Sequence, residues 1–373
     1  MMRVPFVNLG AQFEPLADQL TDTFLRVCRS GQFIMGEEVQ RFEQGLASIS
    51  GTKHVISVAN GTDALVLALK VLGIGPGDEV VTAPNSFIAS AGAIALVGAD
   101  IRFADVGADY NLDPACVSAV ITDKTKAIIP VHLTGNPADM DALATIAESK
   151  GIVLIEDAAQ AIGAFYKGRP VGCLGRLACF SLHPLKNFHL MGDAGFISTN
   201  DDELATKLRQ MRNHGLINRD ESVAWGYNSR LDALQAALGN VKLPYFSVWT
   251  KRFKEIALAY RNGLQNFVNC PLQRTDDEAV YHNFVVQVNE REALMNALSE
   301  RGIDTKIHYP IPLHLMRAAE NLPYSEGDFP VAECQSKRIM SLPIYPELTD
   351  EQVQYVIDNI VSLVKELKLE KVS

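Results

Sequence analysis

The sequence predicts an α/β protein built around a mainly parallel β-sheet. Two observations indicate this fold class. Short β-branched runs alternate with helical stretches over residues 55–199, and the 373-residue chain is 47% hydrophobic, which is enough for a large core. Buried strands separated by helices are typical of a parallel sheet covered on both faces. A smaller α+β region is predicted to follow.

The predicted strands are short, and turns or helical patterns separate them. They cover residues 55–58, 79–82, 101–104, 127–132, 152–156, 179–182 and 196–198. Helices are predicted at 63–72 and 139–150, where apolar residues recur every three or four positions. The glycine-rich stretch 73–77 follows a helix and precedes a strand. Because this order is the reverse of a dinucleotide-binding motif, the stretch is predicted to be a turn.

The second half of the chain is predicted to be richer in helices. Asn200 and Glu203 resemble a capping box for a helix ending near residue 211, and Thr349 with Gln352 resembles another. The other predicted elements are helices at 231–243, 244–267 and 291–301, a strand at 284–288 and a closing helix from 349. We therefore expect a large domain over residues 1–245, N-terminal segment included, and a small α+β domain over residues 246–373.

Composition and charge exclude several classes of function. The net charge is -10 and no basic block occurs, which argues against binding to nucleic acid or to an anionic membrane surface. The N-terminus lacks the pattern of a signal peptide, and the apolar runs are too short to span a bilayer. The six cysteines and eight histidines form no metal-binding pattern. We therefore expect a cytoplasmic protein with reduced thiols and no metal.

Asp157 lies at the end of an apolar strand in the run IVLIEDAAQ, residues 152–160. Ligands of open α/β sheets usually bind at this end of the strands. Small Ala158 and Ala159 would let a flat ring approach, and Gln160 could donate a hydrogen bond to it. A helix cap is an equally good interpretation of Asp157 taken alone.

Lys186 follows a strand that ends at Ser181, in a loop bracketed by proline and glycine. A lysine that forms a Schiff base must lie close to an aldehyde and yet be displaced by an incoming amine. A loop near the strand ends, with small residues around it, allows both. Taken alone, a loop lysine is more often a solvated surface residue.

Gly61 and Thr62 stand between a strand and a helix, where free N–H groups and the positive helix end can hold a phosphate. Taken alone, this is an ordinary helix start. Together with Asp157 and Lys186 it supplies an anion site, a carboxylate and an amine. These are the parts that pyridoxal 5'-phosphate (PLP) requires. The sequence therefore predicts a PLP site.

These motifs, with others along nearly the whole chain, resemble the DegT/DnrJ/EryC1/StrS family of sugar aminotransferases. The matching segments are 30–36 (SGQFIMG), 39–43 (VQRFE), 60–65 (NGTDAL), 75–80 (GPGDEV), 86–87 (SF), 156–160 (EDAAQ), 181–195 and 226–232 (GYNSRLD). Their combined order and spacing are highly specific. The resemblance implies the aspartate-aminotransferase-like architecture (PLP fold type I).

The resemblance also implies a role for each matching residue. Lys186 would hold the cofactor as a Schiff base, Asp157 would pair with the pyridine nitrogen, and Gln160 would reach the ring hydroxyl. Phe87 would stack on the ring. The phosphate contacts would be Gly61, Thr62, Ser181 and, from the partner subunit, Asn228. The protein would therefore be a homodimer with shared active sites.

The implied reaction is an amino transfer in two stages. Glutamate would leave its amino group on the cofactor as pyridoxamine 5'-phosphate, and a keto sugar would then take up the amine. Lys186, once freed, would be the general base for the proton shift. Desolvation of this lysine, among a phosphate and aromatic rings, should lower its pKa.

The substrate is inferred from a C-terminal loop. Residues 307–310 (IHYP), followed by His314, are similar to the loop of enzymes that aminate sugars at C3, so we expect a nucleotide-linked 3-keto-6-deoxy sugar. His183, His308 and Tyr309 are expected to contact the sugar or to move protons, with core packing or capping as alternatives. Candidates for contacts with the donor carboxylate or the nucleotide phosphates are Arg212, His214 and Arg230.

Several alternatives stay open on the sequence alone. The substrate could instead be a 4-keto sugar nucleotide or a free keto-octulosonate aminated at C8. Sugar dehydratases on the same fold carry His in place of the Schiff-base lysine, whereas this chain has Lys186. A PLP-binding regulator without catalysis is another alternative, although no DNA-reading motif occurs. A nicotinamide oxidoreductase is disfavoured because no strand–GxGxxG–helix unit is present.

Overall fold

The computed structural model describes residues 2–372 and confirms the α/β fold class, since its main feature is a seven-stranded sheet. Strands β1 to β11 are His54–Val58, Glu79–Thr82, Asp100–Phe103, Thr125–Ile129, Val153–Asp157, Phe165–Tyr166, Arg169–Pro170, Leu177–Ser181, Gly195–Thr199, Phe284–Gln287 and Ile339–Leu342. The large sheet has the order β1-β9-β8-β5-β4-β2-β3. β9 runs antiparallel to both of its neighbours, and the other pairs are parallel. The sheet is therefore mainly parallel, as predicted.

Helices cover both faces of this sheet and build most of the C-terminal third. Helices α1 to α13 are Leu9–Phe13, Ala17–Ser30, Glu37–Ser50, Gly61–Val71, Ile88–Leu96, Pro114–Val120, Met140–Lys150, Asp202–Met211, Ala233–Lys242, Phe246–Leu264, Arg291–Glu300, Pro330–Arg338 and Asp350–Glu366. Short 3-10 helices occur at Glu14–Leu16, Leu133–Gly135, Leu243–Tyr245, Leu313–Leu315 and Arg317–Ala319. None of these helices is long and apolar enough to cross a membrane.

The inner strands β2, β5, β8 and β9 are almost entirely buried because helices cover both faces of the sheet. In β2, Val80 packs into a cluster with residues of α4 and α5, whereas Val81 packs on the opposite face against β3 and α7. In β8, Cys179 and Phe180 divide between the two faces in the same way. This alternation fixes which side chains can reach the edge of the sheet.

A separate apolar cluster joins the C-terminal elements. β10 and β11 pair antiparallel, and α10, α11 and α13 pack with them around Tyr260 and Phe284, which are both fully buried. Val4, near the N-terminus, belongs to this cluster and forms a bridge with Ile303. Phe246 packs with the large sheet instead. The division into domains 1–245 and 246–373 stays a proposal.

One predicted helix cap is confirmed, and the other is wrong. The Thr349 hydroxyl accepts a hydrogen bond from the Gln352 amide, and the Gln352 side chain accepts one from Thr349. At α8, however, the cap is Asp201, whose carboxylate accepts from the amides of Glu203 and Leu204. Asn200 is not available for capping because its side-chain oxygen accepts a hydrogen bond from the Lys53 amide at 2.8 Å.

Candidate active site

A pocket of about 690 Å³ lies at the carboxyl edge of the large sheet. β5 is the central strand and ends at Asp157, and its parallel neighbour β8 ends at Ser181 at the same edge. β1 leads to the start of α4 at this edge as well. Ten of the fifteen site residues predicted from the sequence line this pocket: Gly61, Thr62, Phe87, Asp157, Gln160, Ser181, His183, Lys186, His308 and Tyr309.

Asp157 is only 4% exposed and is held by two hydrogen bonds. The Ser90 hydroxyl donates to one carboxylate oxygen at 2.6 Å, and the Ala159 amide donates to the other at 3.2 Å. Burial raises the pKa of Asp157, while the hydrogen bonds from Ser90 and Ala159 and the charge of Lys186 oppose that rise. The carboxylate is therefore fixed in position on the floor of the pocket.

Lys186 reaches the same pocket from the loop after β8. Its amide donates to the His183 carbonyl at 2.8 Å, and its own carbonyl lies 3.0 Å from Nδ1 of His189. Burial lowers the pKa of the Lys186 amine to about 8, although the negative charge of Asp157 acts in the opposite direction. A substantial share of this amine is therefore neutral near pH 8, which is the form that attacks a carbonyl.

The start of α4 and the end of β8 come unusually close together. A Cβ atom on Gly61 would lie 2.8 Å from the Cβ atom of Ser181, so only glycine fits without a shift. The Asn60 side chain caps the helix by accepting from the Asp63 amide at 2.8 Å. The first amides of a helix have no partner within the helix and carry its positive end, so Gly61 and Thr62 present an anion site.

Two aromatic rings and an amide line a further part of the pocket. Phe87 is 53% exposed, and its ring centroid lies 5.8 Å from that of Tyr309. Gln160 accepts a hydrogen bond from the Thr134 amide at 2.7 Å, which leaves its NH₂ group directed to the Tyr309 hydroxyl at 3.5 Å. Burial raises the pKa of Tyr309 to about 12, so this hydroxyl keeps its proton at neutral pH.

The two predicted catalytic histidines differ in their surroundings. His308 is held by its Nδ1 atom, 2.9 Å from the Ser341 hydroxyl. Burial, and then the positive charges of Lys186 and Lys306, lower the pKa of His308 to about 4. His183 is exposed, and its Nδ1 atom accepts from the Leu185 amide at 3.3 Å. His308 is therefore neutral at physiological pH and can donate or accept a hydrogen bond.

His314 does not reach the pocket, which corrects the expectation of a sugar contact. It is 3% exposed, and its Nε2 atom lies 3.0 Å from the Glu333 carboxylate. Its ring packs against Phe329 and Phe103. The cause is the 3-10 turn at residues 313–315, which directs His314 into the core.

Arg212 is likewise not available to a substrate. Its guanidinium is buried and forms an ion pair with Glu43 and a hydrogen bond to the Ser57 carbonyl at 2.7 Å. Arg212 thereby connects Glu43 of α3 to Ser57 of β1, which is a structural role. The expectation that it contacts a carboxylate or phosphate of the substrate is wrong.

Asn228, Arg230 and His214 lie outside the pocket of their own chain. Asn228 and His214 are exposed, and Arg230 donates to the Asn213 side chain at 2.9 Å. Between them, Ser229 is buried and donates to Asp63 of α4 at 2.6 Å. The segment is therefore anchored to α4, while Asn228 is exposed and does not line the pocket of its own chain.

Several residues that line the pocket belong to none of the sequence motifs. Ser90 lies one turn after Phe87 at the start of α5, and this spacing was its only signal. Three further polar residues come from the C-terminal elements: His282, Asn283 and Lys306. His282 and Asn283 directly precede the predicted strand 284–288, so the end of that strand could have indicated them. Lys306 lies two residues before His308 and could have been found with it.

The residues present fit PLP. The anion site at Gly61 and Thr62 suits a phosphate, and a carboxylate and an amine stand in the same pocket. The pocket volume is in the usual range for small-molecule sites. Gly61 has no side chain that could cover the first helix amides, which suits a phosphate site.

Comparisons with known proteins agree with this geometry. The sequence profile of the DegT/DnrJ/EryC1/StrS aminotransferase family matches residues 16–361. A protein from Geobacillus stearothermophilus named "Pleiotropic regulatory protein" is 45% identical, over 96% of this chain and 98% of its own. The dTDP-3-amino-3,4,6-trideoxy-alpha-D-glucose transaminase of Streptomyces venezuelae is 41% identical, over 96% of this chain and 95% of its own.

Solved structures are similar over nearly the whole chain. DesV from S. venezuelae, in complex with a ketimine intermediate, has a TM-score of 0.96 at 40% identity and covers 98% of this chain and 99% of its own. NtdA from Bacillus subtilis, with bound cofactor PMP, has a TM-score of 0.91 at 30% identity and covers 98% of this chain and 86% of its own. PMP is pyridoxamine 5'-phosphate, the aminated form of PLP. The fold is therefore confirmed as PLP fold type I.

Proposed function

Because this chain belongs to the DegT/DnrJ/EryC1/StrS aminotransferase family and is a PLP-dependent sugar aminotransferase, we propose that it moves an amino group from glutamate to a nucleotide-linked 3-keto-6-deoxy sugar. One observation carries the proposal. Lys186, Asp157 and the anion site at Gly61 line a single pocket, although they are far apart in the sequence.

PLP, when bound, supplies an aldehyde that accepts an amine and a pyridine ring that draws electrons from the reacting carbon. The chain's own residues would do the rest. Asp157, held by Ser90, would keep the ring nitrogen protonated, and Gln160 would donate to the ring hydroxyl. Lys186 Nζ would take a proton from one carbon and return it to another, since burial keeps its pKa near 8.

The sugar would lie between Phe87 and the C-terminal loop. Neutral His308 and the Tyr309 hydroxyl could both donate hydrogen bonds to sugar oxygens, and exposed His183 lines the same pocket. The ketone at C3 is proposed because the transaminase from S. venezuelae carries a 3-amino sugar in its name. A 4-keto sugar nucleotide and a keto-octulosonate are the alternatives.

A homodimer with shared sites is part of the proposal. The segment 217–228 carries exposed apolar side chains at Ile217, Val223, Trp225 and Tyr227. Contiguous exposed apolar surface is typical of an interaction site. We propose that a second copy of the chain covers this segment and that Asn228 thereby reaches the phosphate site of the other copy.

A regulator without catalysis is the second candidate, favoured by the name of the Geobacillus relative alone. Lys186 with a lowered pKa beside Asp157 is what amino transfer needs, and a regulator would not require it. A sugar dehydratase would carry His at this position.

The test is the purified protein loaded with PLP. We expect a visible absorption band, and borohydride treatment should fix the cofactor to Lys186, which peptide mass mapping would locate. Lys186→Ala should lose both the absorption band and the borohydride product, whereas Lys337→Ala, at an exposed lysine on α12, should keep them.

Each keto sugar would then be supplied with glutamate, and the aminated product detected by mass spectrometry. An unchanged spectrum in Lys186→Ala would contradict the proposal.

A further inference from the structure

The C-terminal wall of the pocket consists of His282, Asn283, Lys306, His308 and Tyr309. Asp157 on the floor and the anion site at Gly61 and Thr62 belong to the large sheet and to α4. PLP, when bound, would occupy this part of the pocket. The wall therefore faces whatever binds next to the cofactor. Three of its side chains have no role in the function proposed above: His282, which pairs with the Asn187 side chain, and Asn283 and Lys306.

Strand pairing places the side chains of Asn283 and Lys306 on one face. Val285 of β10 lies opposite Ser341 of β11. On the other edge of β11, the Lys306 amide donates to the Ser341 carbonyl at 3.2 Å, and the Ser341 amide donates back at 2.8 Å. Because side chains alternate along a strand, Asn283, Lys306 and Ser341 share a face. The contact of His308 with the Ser341 hydroxyl identifies that face as the pocket side.

Lys306 is an exposed cation without a counter-charge. No carboxylate within residues 2–372 forms an ion pair with it, although the chain as a whole is acidic. The positive charge of Lys306 acts on the pocket, because it is one of the causes that lower the pKa of His308. Lys186 and Lys306 are the only lysines among the lining residues, and no arginine lines this pocket in the described chain.

Asn283 is a buried donor without an acceptor. The residue is 3% exposed, and its side-chain nitrogen Nδ2 has no hydrogen-bond partner among residues 2–372. Buried polar groups in folded proteins are nearly always paired, so an unpaired one at the wall of a binding pocket is available to an atom of the ligand. An NH₂ group can only donate, so that atom must be an acceptor.

We propose that Lys306 and Asn283 form a carboxylate subsite on the C-terminal wall. The inference rests on the proposed function, in which glutamate brings a carboxylate into this pocket. Arg212, a candidate for this contact from the sequence, is instead paired with Glu43. Lys306 supplies the opposite charge, and Asn283 supplies a fixed donor. An acidic sugar would bring the same chemical group, so the test separates the two sources.

The experiment uses the PLP-loaded enzyme and succinate, a dicarboxylate that cannot be transaminated. Succinate binding would be measured by calorimetry for wild type, Lys306→Met, Lys306→Arg, Asn283→Leu and the control Lys337→Met, which removes an exposed positive charge elsewhere. We expect Lys306→Met to weaken binding about ten-fold, the size typical of one lost charged hydrogen bond, and Lys306→Arg to restore most of it. Asn283→Leu should weaken it by a smaller factor.

Single-turnover measurements then identify the source of the carboxylate. The donor stage is followed with glutamate and the acceptor stage with the keto sugar, each by the visible spectrum of the cofactor. A loss in Lys306→Met confined to the donor stage assigns the subsite to glutamate, and a loss confined to the acceptor stage with an acidic sugar assigns it to that sugar.

Equal succinate binding in Lys306→Met and Lys337→Met would overturn the subsite. A wild-type enzyme that does not react with glutamate would instead contradict the proposed amino donor. The succinate titration still decides on the subsite in that case, so the two failures are distinguishable.

Discussion

Burial in the same pocket shifts the pKa values of Lys186 and Asp157 in opposite directions. Burial lowers the pKa of the Lys186 amine to about 8 and raises the pKa of the Asp157 carboxyl. Both shifts follow from the cost of keeping a charge away from water. Hydrogen bonds from Ser90 and Ala159 favour the ionised form of Asp157, while no comparable bond is needed for an amine that must become neutral.

The rate at which the apo-protein captures PLP should report the titration of Lys186. The neutral amine is the attacking form, so the rate should rise with pH and level off above about pH 8. An ordinary lysine, with a pKa of about 10.4, would give a rate that still rises at pH 9–10. Stopped-flow absorbance over a pH series would measure it, with Lys186→Ala as the control. A rate that keeps rising steeply above pH 9 would contradict the burial argument.

Single residues were predictable where a motif carries them. Asp157, Lys186 and Gly61 each follow a strand in a recognisable pattern, and all three line the pocket. His314 was misjudged because sequence proximity to Tyr309 does not reveal that a 3-10 turn directs its ring into the core. Ser90 was missed since its contact with Asp157 joins residues that are 67 positions apart.

At the scale of elements, the anion site depends on how closely α4 approaches β8. The Cβ atom that alanine would add at Gly61 stands 2.8 Å from Ser181, well inside normal contact distance. The antiparallel strand β9 adds a second constraint, because a Cβ atom on Gly195 would lie 2.5 Å from the Asn60 carbonyl. The helix start is therefore enclosed by two strands.

Gly61→Ala should weaken PLP binding at least about ten-fold, because either the helix start or Ser181 must move. The control is Gly92→Ala on α5, where an added Cβ atom meets nothing within 4 Å. That change should stabilise the helix by about 0.5–1 kcal/mol. Equilibrium dialysis gives the cofactor affinity, and thermal denaturation gives the stability. Equal affinity in the two variants would show that the close approach does not matter for the phosphate.

The elements themselves were largely predictable from patterns of apolar residues. The predicted strand 79–82 matches β2, and Thr349 caps α13 as expected. The cap of α8 was misplaced by one residue because Asn200 and Asp201 are both good capping residues, and the long-range bond to Lys53 decides between them. The order of the strands in the sheet could not be predicted, because no local sequence pattern indicates that β9 lies between β1 and β8.

At the scale of the whole molecule, the proposed dimer determines whether an active site is complete. The pocket of one chain contains the amine, the carboxylate and the helix start, but Asn228 lies outside it. A single chain also leaves the apolar segment 217–228 in water. Both observations are explained together if each site takes Asn228 from the partner subunit.

Mixed dimers test this sharing. If Asn228 acts across the interface, a dimer of one Lys186→Ala chain and one Asn228→Ala chain contains one site with both residues intact. Aminotransfer activity should therefore rise when the two weak variants are refolded together. Mixing Lys186→Ala with Asp157→Ala should give no gain, because those two residues act within the same chain. A gain in neither mixture would contradict shared sites.

The exposed segment 217–228 also contains a tryptophan whose fluorescence can report on dimer formation. The chain has two tryptophans, and Trp225 is fully exposed in a single chain while Trp249 is half-buried. Indole fluorescence shifts to shorter wavelength when water is removed from the ring. Dilution of the unlabelled protein would therefore shift its emission maximum to longer wavelength as the two chains separate. The emission maximum as a function of protein concentration would give the dissociation constant of the dimer.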